Sequence, residues 1–324
     1  MGAIQAQDYR MMRWAVMMRM KRPSLEDFRE AYNKGKIVRL HLLRGTWQLV
    51  AAEDYWWMME LFAHKAETTI RGWMKSNRVE IDEDELLRVR DILSMVCYEK
   101  GSATKEDFAK ALSLHNMSMD AHRLSYHLRL AEISGTLCSG NLSPLRATYA
   151  LVVQKLKKTV CPNRDEMLTM LARKYFVSHS PATLEDYVWW SGLTMSDCRK
   201  GISLLNEELQ CHKWNGREFY LHNSCRTRGF RRGHLLLLPP YDEYLVGYKS
   251  RDIVLLERYA SRAYTRNGIF FPVVVHDGMV CGNWSLRKDF LALDMFQSMP
   301  ITEGTVLDKQ RKALLLLGHE GKRI

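Results

Sequence analysis

"TLEDYVWWSGLTMSDCRKGISLLNEELQCHKWNGREFYLH" (residues 183–222) contains the signals of two helices and a β-hairpin in succession. Thr183 can cap the first helix, and the spacing Thr194-x-x-Asp197 predicts the start of the second. Strand-like residues on both sides of the Asn-Gly dipeptide at 215–216 predict a two-residue hairpin. An apolar helical stretch, "EMLTMLARKYFVS", precedes them at 166–178. Three helices followed by a hairpin is the plan of a winged helix.

The start of this stretch recurs along the chain. "SLEDF" (24–28), "TKEDF" (104–108) and "TLEDY" (183–187) begin 80 and 79 residues apart, which indicates a repeated unit. After the second copy, helices to about residue 112 and over 119–132 lead into an extended run. The first copy passes straight to two strands in "KIVRLHLLRGTWQLV" (36–50) and is one helix short.

The predicted fold class is α+β, with tandem winged-helix units, each a helix-turn-helix plus a β-hairpin, and a C-terminal β-rich domain. The predicted bounds are 1–75 for a first winged-helix-like unit that lacks its first helix, 76–160 for the second, 161–224 for the third, and 225–324 for a basic loop and the β-rich domain. Within the last, a helix is predicted over 253–262.

The composition is that of a soluble globular protein, with 324 residues, 46% hydrophobic and 26% charged. Its longest apolar runs are too short to span a bilayer, and its start does not resemble a signal peptide. The seven cysteines are scattered and lack metal-ligand spacing, so we expect reduced thiols in a cytoplasmic protein. No membrane contact, metal or cofactor is predicted.

The net charge of +11 predicts an anionic partner, of which nucleic acid is the commonest. "CRTRGFRRG" (225–233) interleaves basic residues with glycine and an aromatic residue, a composition that suits contact with a phosphate backbone. The predicted DNA-binding residues are Arg226, Arg228, Arg231 and Arg232.

Gln5 and Gln7 stand two residues apart in "IQAQ" (4–7). In an extended segment their side chains would point the same way, whereas on a helix they would diverge. Two convergent amides cannot act as a base, but they can hold a water. That suffices for a substrate with a good leaving group, such as an alkylated purine. Taken alone, such a tripeptide is more often a solvated turn. Asp8 could assist electrostatically, although in a regular strand it would face away.

Five stretches together resemble the AlkZ-like winged-helix DNA glycosylases over nearly the whole chain. They are "GAIQAQDYRMMRWAVMMR" (2–19), "RLHLLRGTWQLVAAEDYWWM" (39–58), "LARKYFVSHSPATLEDYVWWSGL" (171–193), "LLPPYDEYLVGYKSRD" (237–252) and "VVVHDGMVCGNW" (273–284). The resemblance implies tandem winged helices that cradle duplex DNA and hydrolysis of the N-glycosidic bond of alkylated bases, including some interstrand cross-links.

The family's glutamine-apolar-glutamine motif corresponds to Gln5, Ala6 and Gln7, which the resemblance makes the catalytic pair. There are two departures from the family. Its members usually carry another helix before this motif, whereas Met1 lies four residues before Gln5 here. Many relatives have histidine where this chain has Gln48, and an amide would bind without titrating near pH 7.

The predicted function is a monofunctional, monomeric DNA glycosylase that acts on damaged double-stranded DNA. Gln5 and Gln7 would position the water, and the candidate pocket residues are Asp8, His41, Arg44 and Gln48. The alternative is a non-catalytic winged-helix DNA-binding protein, such as a transcriptional regulator. A protein scaffold fits the positive charge less well. Release of a free base separates the enzyme from both alternatives.

Two further motifs have a structural interpretation. The pairs Trp56-Trp57 and Trp189-Trp190 could stack on an extruded base, but packing in the core is favoured. The acidic pair Asp242-Glu243 could do acid–base chemistry, but it is interpreted as structural, with Arg251 as its partner.

Overall fold

The computed structural model describes residues 1–226, 228–229, 232–287, 290–297, 310–315 and 317. The chain divides into two compact units. The terminal unit combines residues 3–25 with the described residues from 168 onward, and the central unit contains residues 26–167. The terminal unit therefore joins two segments that are far apart in the sequence.

Helices and strands are mixed along the described chain, so the predicted α+β class is confirmed. The helices are α1 (Met12–Met17), α2 (Leu25–Asn33), α3 (Ala52–Ser76), α4 (Glu83–Lys100), α5 (Lys105–Leu114), α6 (Ala121–Ile133), α7 (Val152–Lys155), α8 (Arg164–His179), α9 (Leu184–Ser191), α10 (Met195–Leu205), α11 (Glu243–Val246) and α12 (Ala260–Ala263). The strands are β1 (Ile4–Gln5), β2 (Ile37–His41), β3 (Trp47–Ala51), β4 (Ala103–Thr104), β5 (Leu137–Ser139), β6 (Thr148–Leu151), β7 (Leu209–Trp214), β8 (Arg217–His222), β9 (Leu235–Leu238), β10 (Val273–His276), β11 (Met279–Arg287) and β12 (Phe290–Met295). Residues 310–315 are also helical.

Helices α8, α9 and α10 are followed by the β7–β8 hairpin, in the order that the sequence predicts. At the start of α9, the Thr183 hydroxyl accepts the N–H of Asp186 at 3.1 Å. The Asp186 carboxylate in turn accepts the N–H of Thr183 at 3.0 Å, which completes a capping box. Gly192 ends α9 in the left-handed conformation, at φ 70°. Asn215 and Gly216 are also left-handed, at φ 47° and 73°, as a two-residue hairpin turn requires.

In the central unit, α4, α5 and α6 precede the strands β5 and β6. Thr104 and Asp107 repeat the capping box at the start of α5. Strands β4, β6 and β5 form an antiparallel sheet in that order. Fully buried side chains from the helices and the sheet, among them Leu93, Phe108 and Leu137, pack into one apolar core.

An antiparallel hairpin of β2 and β3 carries the strand-like stretch of the first repeat copy. A short 3-10 turn, Leu43–Gly45, connects the two strands. Arg44 has a left-handed backbone within this turn, at φ 56°. In register, His41 lies opposite Trp47, and Leu40 lies opposite Gln48.

The C-terminal part contains an antiparallel sheet in the order β12–β11–β10–β9. The helix predicted over 253–262 is wrong in its first half, because helical structure starts at Glu257 with a 3-10 turn that leads into α12. The carbonyl of Val254 accepts the N–H of Val280, at the start of β11, at 2.8 Å. That carbonyl serves the sheet instead of a helix.

Candidate active site

The glutamine segment begins as a strand and then bends. Gln5 lies in β1 and is only 7% exposed. Gln7 lies in the bend after the strand and is exposed. The segment is therefore extended and then bent, not helical. This is the kind of conformation that convergence of the two amides requires.

Asp8 makes local contacts that start the next helix. Its Oδ1 accepts the backbone N–H groups of Arg10 and Met11, each at 2.9 Å. Its carbonyl accepts the N–H of Met12 at 3.0 Å. The side chain thus stabilises the turn that leads from the glutamine segment into α1.

A buried carboxylate binds the backbone of Gln5. Nothing in the sequence connects this acid with the glutamines. Glu243, the first residue of α11, is 3% exposed. Its Oε1 accepts the N–H of Gln5 at 2.6 Å. Its Oε2 accepts the indole N–H of Trp190 at 3.1 Å and lies 3.4 Å from Nε2 of His179. Folding alone joins these groups, because Gln5 and Glu243 are 238 residues apart.

The neighbouring acid holds the segment that follows the glutamines. Arg19 donates from both terminal nitrogens to the Asp242 carboxylate, at 2.7 and 2.9 Å. Trp14, in α1, donates its indole N–H to the carbonyl of Leu237 at 2.6 Å. The glutamine segment and α1 are thus attached to the C-terminal part of the terminal unit at several points.

The prediction that the acidic pair contacts Arg251 is wrong. Arg251 donates from Nε to the carbonyl of Leu245 at 2.6 Å. Its guanidinium lies 4.8 Å from the ring centre of Tyr264 and 5.0 Å from that of Phe270. The Arg251 guanidinium therefore makes cation–π contacts with an aromatic cluster. The partner of Asp242 is Arg19 instead.

The other candidate pocket residues lie on the β2–β3 hairpin of the central unit. Arg44 is half-buried in the turn. Gln48 is 1% exposed, and its amide nitrogen donates to the Thr46 hydroxyl at 2.9 Å. His41 is buried at the end of β2. The terminal unit contains Gln5, Gln7 and Asp8.

His41 belongs to a buried cluster that includes Arg39 and Glu132, which the sequence analysis missed. Its Nδ1 lies 2.5 Å from Oε2 of Glu132, and its backbone N–H donates to the same oxygen at 3.1 Å. Its ring centre is 3.7 Å from that of Trp47, and the Arg39 guanidinium lies 3.6 Å from the Trp47 ring. Burial lowers the pKa of His41, and the adjacent Glu132 carboxylate opposes this shift.

The basic segment between β8 and β9 is exposed where the structure describes it. Arg226, Arg228 and Arg232 all present exposed side chains, and Arg231 lies outside the described residues. Exposed guanidinium groups suit contact with phosphate oxygens.

The tryptophan pairs each divide into a buried and a more exposed ring. Trp57 and Trp190 are 3% and 1% exposed, which confirms core packing for both. Trp56 donates its indole N–H to the carbonyl of Lys157 at 2.9 Å. Trp189, which is 42% exposed, donates to the carbonyl of Val246 at 3.1 Å.

A common sequence signal accompanies the acids that the sequence analysis missed or misassigned. Glu243 follows the apolar run in "LLLLPPYDEYLV" (235–246), and Glu132 stands between apolar residues in "LRLAEI" (128–133). A carboxylate in such surroundings is buried at a large cost unless hydrogen-bond donors reach it. The pattern therefore predicts a buried, partnered acid, but it does not identify the partner.

Two kinds of feature are absent from the described ranges. No helix there is long and apolar enough to cross a membrane. No group of three or more His, Cys, Asp or Glu side chains in those ranges is placed to hold a metal ion. All seven cysteines are free thiols.

Comparison with known proteins identifies the class of enzyme as a DNA glycosylase, a hydrolase of N-glycosyl bonds in DNA. The chain belongs to the AlkZ-like family, whose model, described as DNA glycosylase AlkZ-like, matches residues 1–319. A curated relative, the interstrand DNA cross-link repair glycosylase of Streptomyces sahachiroi, is 24% identical over 314 residues, which cover 90% of this chain and 82% of the relative. The solved structure of Streptomyces sahachiroi DNA glycosylase AlkZ is similar with a TM-score of 0.72 and 19% identity, over 98% of this chain and 88% of that one.

Proposed function

We propose that this DNA glycosylase removes alkylated bases from damaged double-stranded DNA and that Gln5 and Gln7 hold the attacking water. The observation that carries the proposal is the geometry of the glutamine segment. The backbone of Gln5 is bound by a buried carboxylate, and Gln7 is exposed just after it. A fixed residue beside an exposed one suits a site that is rigid on the protein side and open to substrate.

The proposed reaction demands little acid–base chemistry. A purine alkylated on a ring nitrogen is cationic, so it leaves C1′ as a neutral base with the electrons of the glycosidic bond. The water oxygen bonds to C1′ and loses its proton to solvent. Each glutamine offers a carbonyl acceptor that can orient the water and stabilise positive charge on the sugar. The reaction is monofunctional and uses no metal or cofactor. Asp8, His41, Arg44 and Gln48 remain proposed substrate contacts.

We propose that the two helix-rich segments that end in hairpins, 76–160 and 161–224, are winged helices and that the first, shorter copy in 1–75 is a related unit. The order of α8, α9, α10, β7 and β8 supports this assignment. The net charge of +11 and the exposed Arg226, Arg228 and Arg232 support phosphate contacts on duplex DNA. We also propose that Arg231 contacts DNA phosphate and that residues 225–324 form a basic loop and a C-terminal β-rich domain. The enzyme is proposed to act as a monomer in the cytoplasm.

The test uses duplex DNA that carries 7-methylguanine, with free base measured by chromatography under single-turnover conditions. Base release is expected from the wild-type protein and should fall at least about 100-fold in Gln5→Ala/Gln7→Ala, while duplex binding persists. Gln154→Ala, at an exposed glutamine in α7, is the matched control and should retain full activity.

The substrate range is tested with the same variants. A relative is named for the repair of interstrand DNA cross-links, so cross-linked duplexes and bulkier N7 adducts follow 7-methylguanine. A double variant as active as the wild type would refute the catalytic role of the glutamines. No release from any of these substrates would refute the alkylated-base specificity.

A further inference from the structure

Donors from separate segments of the terminal unit reach the carboxylate of Glu243. One oxygen accepts the backbone N–H of Gln5, at 2.6 Å, and the other accepts the indole N–H of Trp190, at 3.1 Å. His179 lies 3.4 Å from the second oxygen. A carboxylate bound in this way links the glutamine strand to α8 and α9.

The support behind Glu243 is a packed aromatic core. Trp190 is 1% exposed, and its ring centre lies 5.0 Å from that of Tyr175. Tyr175 stacks on His179 with ring centres 4.5 Å apart. Glu243 itself begins α11, where the adjacent Asp242 accepts the N–H of Tyr244 at 2.9 Å. Packed rings and a capped helix leave the carboxylate little freedom to move.

Stability alone is a weak reason for a charge at this position. A buried charge has a desolvation cost that an apolar side chain of similar volume avoids, and replacement by such a side chain is often neutral or stabilising. The group oriented here is the N–H of Gln5, and a charge-assisted hydrogen bond to a backbone N–H restrains the position of that residue.

The geometry points to Glu243 as a positioning residue for base release: it holds the backbone of Gln5 so that the Gln5 amide is in place for the water. This role rests on the proposed catalytic function of Gln5. Glu243 touches neither water nor DNA in the reaction, and it acts through Gln5 alone.

The test compares Glu243→Ala and Glu243→Gln with Asp186→Asn. Asp186 is a matched control, because it is also 3% exposed and also accepts backbone N–H groups, those of Thr183, Lys249 and Ser250. If the role of Glu243 were merely structural, the rate of base release would fall in step with thermal stability. The least stable variants would then be the slowest in base release, whether Glu243 or Asp186 is replaced.

Two quantities are measured. Single-turnover release from 7-methylguanine duplex should be about 100-fold slower in Glu243→Ala, with unchanged duplex affinity, because small displacements of a reacting group cost about this much. Glu243→Gln keeps an acceptor oxygen and should recover at least about tenfold of that loss. Asp186→Asn should lower the melting temperature without slowing release. In protein labelled with 15N-glutamine, the Gln5 amide should exchange with solvent about 10- to 100-fold faster in Glu243→Ala.

The outcomes separate this role from the proposed function. If Gln5→Ala/Gln7→Ala is inactive while Glu243→Ala releases base at the wild-type rate, the positioning role is overturned and the catalytic role of the glutamines stands. The positioning role is also overturned if the Gln5 amide exchanges at an unchanged rate in Glu243→Ala. It is likewise overturned if Asp186→Asn slows base release as much as Glu243→Ala does. If the glutamine double variant remains active, the catalytic role falls and the positioning role falls with it.

Discussion

The carboxylate of Asp186 makes two separate sets of hydrogen bonds. Replacement of Asp186 should therefore lower the free energy of unfolding more than replacement of Asp107, its counterpart in the repeated motif. Both acids close a capping box with a threonine three residues earlier. The second oxygen of Asp186 also accepts the N–H groups of Lys249 and Ser250, at 2.8 and 3.2 Å. The second oxygen of Asp107 instead pairs with Lys100 at the surface.

The magnitudes follow from these contacts. Removal of the acid of a capping box leaves the threonine N-cap in place but deletes the hydrogen bond from the N-cap N–H, at a cost of about 1 kcal/mol. Each lost backbone hydrogen bond adds about 0.5–1.5 kcal/mol, a range suited to exposed residues that water can reach. A surface ion pair adds about 0–1 kcal/mol. Asp186→Ala should therefore destabilise α9 and the loop bound to it by about 2–4 kcal/mol, and Asp107→Ala should destabilise α5 by about 1–2 kcal/mol.

Native-state hydrogen exchange measured by mass spectrometry reports each segment separately. Peptides from α9 and from 247–252 should exchange about 30- to 700-fold faster in Asp186→Ala, since 1.4 kcal/mol corresponds to a factor of ten. Peptides from α5 should change about 5- to 30-fold in Asp107→Ala. Equal effects of the two substitutions, or unchanged exchange at 247–252, would refute the reasoning.

Two further predictions concern packing and pH. A Cβ at Gly201 in α10 would lie 2.9 Å from the carbonyl oxygen of Leu168, so Gly201→Ala should lower the free energy of unfolding by about 1–3 kcal/mol. A Cβ at Gly72 in α3 would meet no atom within 4 Å, so Gly72→Ala should raise that free energy by about 0.5–1 kcal/mol. Urea titration measures both changes. A gain of stability in Gly201→Ala or a loss in Gly72→Ala would contradict the corresponding prediction. Burial lowers the pKa of His41 in the folded protein, so the unfolded chain takes up a proton at this residue first as the pH falls. The contribution of His41 to the free energy of unfolding is therefore fully present above a pH of about 6.5 and declines below it. The melting temperature should fall less steeply between pH 8 and 5 in His41→Asn than in the wild type, and an identical slope would contradict the assignment.

The local structure around the repeats follows from the sequence. Helices α9 and α10 and the β7–β8 hairpin lie where their signals predict, because caps and turns act between residues a few positions apart. The glutamine segment is extended and bent, as the proposed convergence of Gln5 and Gln7 requires. The predicted helix at 253–262 is the instructive failure, since a hydrogen bond from Val280 on a distant strand takes the carbonyl of Val254.

The partners of the buried charges were decided only by the tertiary structure. The sequence indicates that Glu243 lies in an apolar run, but Arg251 was the wrong partner for the acidic pair, and Gln5 is 238 residues away. Arg19 and Asp242 are likewise joined across 223 residues. The desolvation cost of a carboxylate is a local property that its neighbours in the sequence reveal. The donor that offsets this cost is whichever N–H group the folded chain brings within 3 Å, and no local pattern contains that distance.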